Sequence, residues 1–170
     1  TFGCQMNISD SERIAAVLED TGLKTALNIN EADFVIFNTC GVRQMAEDRV
    51  YGQIRNVKIQ NPKSKIILTG CLANRKDVQR RLKDKVDLFF PINDLGGLKN
   101  WIIKNCFKIK NLKLKISARN HTISKENIAY SSINPKHASK FQAYVPIMTG
   151  CNNFCSYCVV PYVRKELHNR

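Results

Sequence analysis

Three cysteines close to the C-terminal end of the chain, Cys151, Cys155 and Cys158, are spaced C-x3-C-x2-C in the run Thr149-Gly150-Cys151-Asn152-Asn153-Phe154-Cys155-Ser156-Tyr157-Cys158. Thiolates at this spacing suit three corners of a cubane iron-sulfur cluster and leave its fourth iron without a protein ligand. An iron with an exchangeable position can bind and activate a small molecule, whereas a fourth thiolate would close the cluster for electron transfer or structure. The alternative is structural zinc, which normally takes four nitrogen or sulfur ligands from two short knuckles. The sequence holds no second knuckle.

The motif resembles the signature of radical S-adenosylmethionine enzymes. That resemblance implies that the open iron chelates the amino and carboxylate groups of S-adenosylmethionine, and that the reduced cluster cleaves the sulfonium to give a 5′-deoxyadenosyl radical. It also implies that Tyr157, the aromatic residue before the last cysteine, lies near the adenine of the cofactor. A core aromatic is the plain alternative for Tyr157.

The elements that must position these groups alternate between strand and helix. Ser9-Asp10-Ser11 offers N-cap residues for a first helix with Ile14, Val17 and Leu18 on one face, and Gly22 is placed to stop it. Asp33-Phe34-Val35-Ile36-Phe37-Asn38 reads as a buried strand. The stripe Ala46, Val50, Ile54 and Val57 predicts a second helix ending before Asn61-Pro62, and Lys65-Ile66-Ile67-Leu68-Thr69 is the next strand. A helix with Val78 and Leu82, a strand over 86–90 and a helix with Leu95, Leu98 and Ile102 complete the order. Such alternation predicts an α/β fold, a doubly wound parallel sheet covered by helices on both faces. Residues 131–139 read as a loop, and residues 141–148 as a short apolar strand leading into the cysteine motif.

Cys4, Cys40 and Cys71 each stand just beyond the C-terminal end of a predicted strand, at the turn into the following helix. In an open parallel sheet those turns lie along one edge, where ligands bind, so three cysteines distant in sequence are expected to meet. Gly3, Gly41 and Gly70 sit beside them and would allow close backbone approach to a bulky inorganic ligand. A lone cysteine at one such place would read as a small buried hydrophobe; three equivalent places weaken that reading. Cys106 has no matching turn and reads as a free structural thiol.

Thr1-Phe2-Gly3-Cys4-Gln5-Met6-Asn7, Asn38-Thr39-Cys40-Gly41-Val42-Arg43, Gly70-Cys71-Leu72-Ala73-Asn74-Arg75 and the Cys151 motif with Val159-Val160-Pro161-Tyr162 together resemble the methylthiotransferases. Within that family the Gln5-Met6-Asn7 and Val159-Val160-Pro161 runs are most similar to the tRNA-modifying branch acting on isopentenylated adenosine. The resemblance implies two 4Fe-4S clusters, an auxiliary one on Cys4, Cys40 and Cys71 and a radical-generating one on Cys151, Cys155 and Cys158. It further implies S-adenosylmethionine as cofactor and the anticodon loop of tRNA as substrate, with an electron donor and a sulfur or cluster donor as partners. On this reading residues 1–105 form the N-terminal methylthiotransferase domain, 106–140 a basic arm or linker, and 141–170 the start of a radical S-adenosylmethionine (β/α) barrel. One departure is visible: Val163-Arg164-Lys165 stands where the family usually has Thr-Arg-Gly. Other members of the family would act on threonylcarbamoyl-adenosine or on a ribosomal-protein aspartate, and outside the family a non-catalytic metal-stabilised RNA-binding protein would also combine cysteines with basic charge.

The 170 residues carry 27 Lys and Arg against 14 Asp and Glu, a formal net charge of +13 that favours a polyanionic partner through salt-sensitive, sequence-indifferent attraction. Residues 95–125 contain no acidic side chain, while Lys99, Lys104, Lys108, Lys110, Lys113, Lys115, Arg119 and Lys125 accumulate there. Leu112, Leu114 and Ile116 alternate with lysines and could form a strand. No apolar run reaches the roughly 18 residues of a spanning helix and no apolar signal segment is visible, so a cytosolic protein without membrane contact is expected; a monomer is expected as well. Seven cysteines in a reducing compartment point to metal ligands or reactive thiols rather than disulfides. The opening on Thr1 and the close on Arg170 read as a fragment, which would lack the remaining barrel strands and perform no turnover alone.

Overall fold

The computed structural model describes residues 1–106, 130–164 and 167–169. Three parallel strands, β1 (Phe34–Thr39), β2 (Lys65–Gly70) and β3 (Leu88–Phe89), lie in that order, with Phe34 opposite Lys65 and Ile67 opposite Leu88. Phe2 adds a single parallel bridge to Thr39 on the outer side of β1. The pairing of β3 runs past its two assigned residues, because the Asp87 N–H donates to the Ile66 carbonyl and the Phe90 N–H to that of Leu68.

Alternation along the strands sends successive side chains to opposite faces. On one face Phe37, Ile66 and Leu68 pack with Val50, Ile54 and Val57 of α2 (Gln44–Gln60) and with Val78 and Leu82 of α3 (Lys76–Leu82). On the other, Ile36 and Ile67 pack with Ile14 and Val17 of α1 (Gln5–Asp20) and with Leu95, Leu98 and Ile102 of α4 (Leu95–Cys106). The doubly wound α/β arrangement read from the sequence is therefore present. Cys106 closes this second core at 2 % exposure.

Two expected boundaries move. The first helix begins at Gln5, not after Ser9-Asp10-Ser11, because the Asn7 side chain folds back to accept the Cys4 N–H at 3.2 Å and so closes the first turn. Ser9 and Asp10 are then buried inside the helix, each with a partner on a neighbouring arginine. Its stop is as expected, with Gly22 at φ +85 and its N–H donated to the Glu19 carbonyl. The apolar run 141–148 is not a strand: only Met148–Thr149 (β4) pairs, antiparallel to His168–Asn169 (β5), and Phe141 and Ile147 are 99 % and 76 % exposed. Among the described residues no neighbouring strand takes up the backbone groups of 141–147, and an apolar run without a ladder has nothing to hold it extended.

The lysine-rich stretch 107–129, with the strand expected around Leu112, Leu114 and Ile116, lies outside the described residues. Beyond it, residues 130–138 are strapped along α1. The Tyr130 hydroxyl donates to Asp10 Oδ1 at 2.6 Å, His137 Nδ1 lies 2.9 Å from Glu12 Oε2, and Lys136 pairs with Glu19. Among the described residues no helix is long and apolar enough to cross a membrane.

Candidate metal centre

Cys4, Cys40 and Cys71 occupy the places expected of them, at the C-terminal edge of the sheet. Backbone hydrogen bonds carry them there: Cys40 N–H donates to the Phe2 carbonyl at 2.8 Å, and Cys71 N–H to the Thr39 carbonyl at 2.9 Å. The backbones come too close for side chains in between. A Cβ on Gly3 would stand 2.8 Å from Cys40 Cβ, and one on Gly41 would stand 3.0 Å from Cys71 Cβ. Gly70 takes φ +82, and a Cβ there would meet the Thr39 carbonyl oxygen at 2.3 Å. Only glycine combines that backbone with that approach.

A pair of buried amides ties these turns together, and sequence reasoning did not assign it. Asn7 and Asn38 are each 1 % exposed. Asn7 Oδ1 accepts from Cys4 N–H and, at 3.4 Å, from the Cys4 thiol, while Asn7 Nδ2 donates to Asn38 Oδ1 at 3.0 Å. Asn38 Nδ2 in turn donates to the Asn7 carbonyl at 2.8 Å and to Ser11 Oγ at 3.0 Å. Asn38 Oδ1 also lies against Gly70, just before Cys71, where an added Cβ would sit 2.7 Å from it. One amide pair thus touches the turns of all three cysteines. The signal for it was a polar residue ending the apolar run Phe34-Val35-Ile36-Phe37, since a buried amide there must find partners.

Cys40 and Cys71 are buried at 5 % and 6 % exposure, and Cys4 is partly exposed. Burial pushes the Cys71 thiol up, against the opposing charge of Arg164 and the Gly41 N–H. Arg164 ends α5 (Val160–Arg164), the helix that follows the second cysteine motif. Burial pulls its guanidinium down, but Asp10 and the Cys71 sulfur outweigh that and hold it above its usual range. Its Nη2 donates to Asp10 Oδ2 at 2.6 Å, with side-chain exposures of 9 % and 0 %.

The second trio is differently placed. Cys155 is exposed, and Cys151 and Cys158 are partly so. The loop is shaped by local contacts: Gly150 at φ +82, the Asn153 N–H 3.5 Å from Cys151 Sγ, and the Cys158 N–H on the Cys155 carbonyl at 3.0 Å. Phe154 packs edge-on against Tyr162. Tyr157 is 90 % exposed, which removes the core-aromatic alternative. A cavity of about 520 Å³ is lined by Arg13, Tyr130, Thr149, Arg164 and His168 among others.

Among the described residues no three His, Cys, Asp or Glu side chains group as they would around a single metal ion. Thiolates on three corners of a cubane stand farther apart than ligands of one ion, and soft sulfur donors suit iron-sulfur centres as they suit zinc or copper(I). Three thiol-bearing turns, glycine-lined and held at one sheet edge, fit such a group.

All 170 residues are similar to proteins named tRNA-2-methylthio-N(6)-dimethylallyladenosine synthase. The proteins from Syntrophomonas wolfei and Finegoldia magna are both 38 % identical, and that from Lachnoclostridium phytofermentans is 40 % identical, each over 100 % of this chain. The chain spans 38 %, 36 % and 37 % of their respective lengths, a little over a third. Residues 1–91, which hold the parallel sheet and the first cysteine trio, match the family described as Uncharacterized protein family UPF0004, and the chain belongs to that family.

Proposed function

We propose that the whole protein carrying these residues is a cytosolic tRNA methylthiotransferase that adds a methylthio group to carbon 2 of an isopentenylated adenosine beside the anticodon. The observation that carries this reading is similarity to proteins of that name along the entire chain. On this reading residues 1–105 form the auxiliary-cluster domain, 106–140 a basic arm, and 141–170 the opening of the radical domain. Cys4, Cys40 and Cys71 would hold one 4Fe-4S cluster, and Cys151, Cys155 and Cys158 the other. When bound with S-adenosylmethionine, these groups supply sulfur and an adenosyl radical. Chemistry of that kind is needed because an unactivated aromatic C–H offers no acidic proton to a general base.

The chain's own residues do the holding and the orienting. Asn7 and Asn38 fix the first three cysteine turns, and the short loop from Gly150 presents the second trio at the surface. Tyr157, exposed beside Cys158, is free to lie against an adenine ring. The net charge of +13 attracts RNA phosphates without reading sequence. Part of that charge is engaged within the fold, since Arg81 lies over the Tyr51 ring at 4.1 Å and Arg75 pairs with Glu47 and Asp77.

The test is to express the whole protein in a bacterium deprived of its own methylthiotransferase and to analyse its tRNA nucleosides by mass spectrometry. Return of 2-methylthio-isopentenyladenosine is expected. A methylthio group found only on threonylcarbamoyl-adenosine or on a ribosomal protein would move the assignment to another branch of the family, and a colourless zinc protein without iron or sulfide would overturn it.

A further inference from the structure

Arg164 belongs by sequence to the second cysteine motif, six positions after Cys158, yet its side chain is buried beside the first trio. Three contacts put it there. Its guanidinium pairs with Asp10 at 2.6 Å, and Asp10 is itself held by the Tyr130 hydroxyl at 2.6 Å. Asn74, three residues past Cys71, donates its Nδ2 to the Val163 carbonyl at 2.9 Å and so pins the end of α5 to the Cys71 turn. The guanidinium then acts on the Cys71 thiol as an opposing charge.

One of its donors is left over. Among the described residues Arg164 Nη1 is buried and meets no hydrogen-bond partner, a costly state for a charged N–H. A guanidinium has only donors to offer, so this atom needs an acceptor, and thiolate or inorganic sulfide at Cys71 is the acceptor chemistry at hand. Sulfur atoms of such centres take hydrogen bonds from outside the ligand set, and these bonds with the nearby charge set the reduction potential.

We propose that Arg164 is a positioning residue for the Cys4, Cys40 and Cys71 centre, donating to its sulfur and setting its potential from the helix that follows the other cysteine motif. The inference rests on the iron-sulfur reading of the first trio. The positive charge favours the more negative, reduced state of that centre, and the link through α5 makes the environment of one trio depend on the folding of the other.

The experiment uses the chain with Cys151, Cys155 and Cys158 all changed to Ala, reconstituted anaerobically with iron and sulfide so that only the first site is loaded. Its midpoint is followed by electron paramagnetic resonance during one-electron reduction with dithionite. Arg164→Gln removes the charge and is expected to shift the midpoint to more negative potential, with Arg164→Lys, which keeps charge but loses the planar fork, lying between. Asp10→Asn breaks the same ion pair from the other side, leaves the arginine charge uncompensated, and is expected to shift the midpoint in the positive direction. A merely structural role predicts shifts of one sign for both variants, or none, and either result would overturn the proposal. Equal loss of iron and of the thermal unfolding transition in both Arg164→Gln and Arg164→Lys would overturn it as well. If the unsubstituted chain takes up zinc and no iron, the failure lies in the iron-sulfur reading beneath.

Discussion

The two cysteine trios are built in opposite ways. Cys40 and Cys71 close paired strands at 5 % and 6 % exposure, and their turns are joined by sheet hydrogen bonds and one buried amide pair. Cys155 stands on a loop whose neighbours Phe154 and Tyr157 are 67 % and 90 % exposed, shaped among the described residues by local hydrogen bonds and by the Leu167 N–H on Asn152 Oδ1 at 3.3 Å. The first trio is therefore held in place by the fold itself, whereas the second stands on a surface loop. Regions of few buried contacts are the ones that open at low free energy. On the proposed function, that difference suits a division of labour in which one centre is held fixed and the other admits an exchangeable small molecule.

The comparison is sharpened first by the core beneath the first trio. Leu68 is fully buried in the central strand, and Leu68→Ala is expected to cost about 3 kcal/mol, read as a lower urea midpoint at unchanged slope. Next comes the amide pair. Asn38→Ala leaves the Asn7 side chain short of its buried partner and is expected to cost about 2 kcal/mol, with loss of iron from the first trio and none from the second. Iron lost from both would show that the sites are not independent.

A smaller effect tests the sheet edge remote from the cysteines. Burial pushes the Asp87 carboxyl up, but hydrogen bonds from Lys65 and the Ile66 N–H, with the Lys58 charge, outweigh it and hold the group below the usual carboxylate range. A depressed carboxyl stabilises the fold above its ordinary pKa of about 4 and loses that contribution as pH falls through the native value. Asp87→Asn should thus cost about 1 kcal/mol at neutral pH, a modest figure because the pair is partly solvated, and the gap from the parent should close in acid. Smallest of all, Phe141→Ala is expected to change stability by less than about 0.5 kcal/mol, since the ring is 99 % exposed. A larger loss would mean that the segment before the second trio is packed after all.

What the sequence displayed was periodic and local. Ala46, Val50, Ile54 and Val57 recur at helical spacing and line the inner face of α2, and the apolar runs at Phe34 and Lys65 became the two long strands. The turn positions of Cys4, Cys40 and Cys71 followed from strand order alone. What stayed hidden was long-range polar pairing: Asn7 meets Asn38 across 31 positions, and Arg164 meets Asp10 across 154. No periodicity encodes such pairs. The same blindness explains the first helix, where Ser9-Asp10-Ser11 looked like a cap because its buried partners, Arg13 and Arg164, could not be seen. The run 141–148 failed for the complementary reason, since apolar character marks a strand only where a neighbour exists to pair with it.

The central claim is that the chain holds two separate iron-sulfur centres on two cysteine trios. Its most direct test is iron and sulfide analysis of the anaerobically reconstituted chain after Cys151, Cys155 and Cys158 are all replaced by Ala. The account predicts retention of about half the iron, held by Cys4, Cys40 and Cys71. Loss of all the iron, or retention of all of it, would contradict the two-site account.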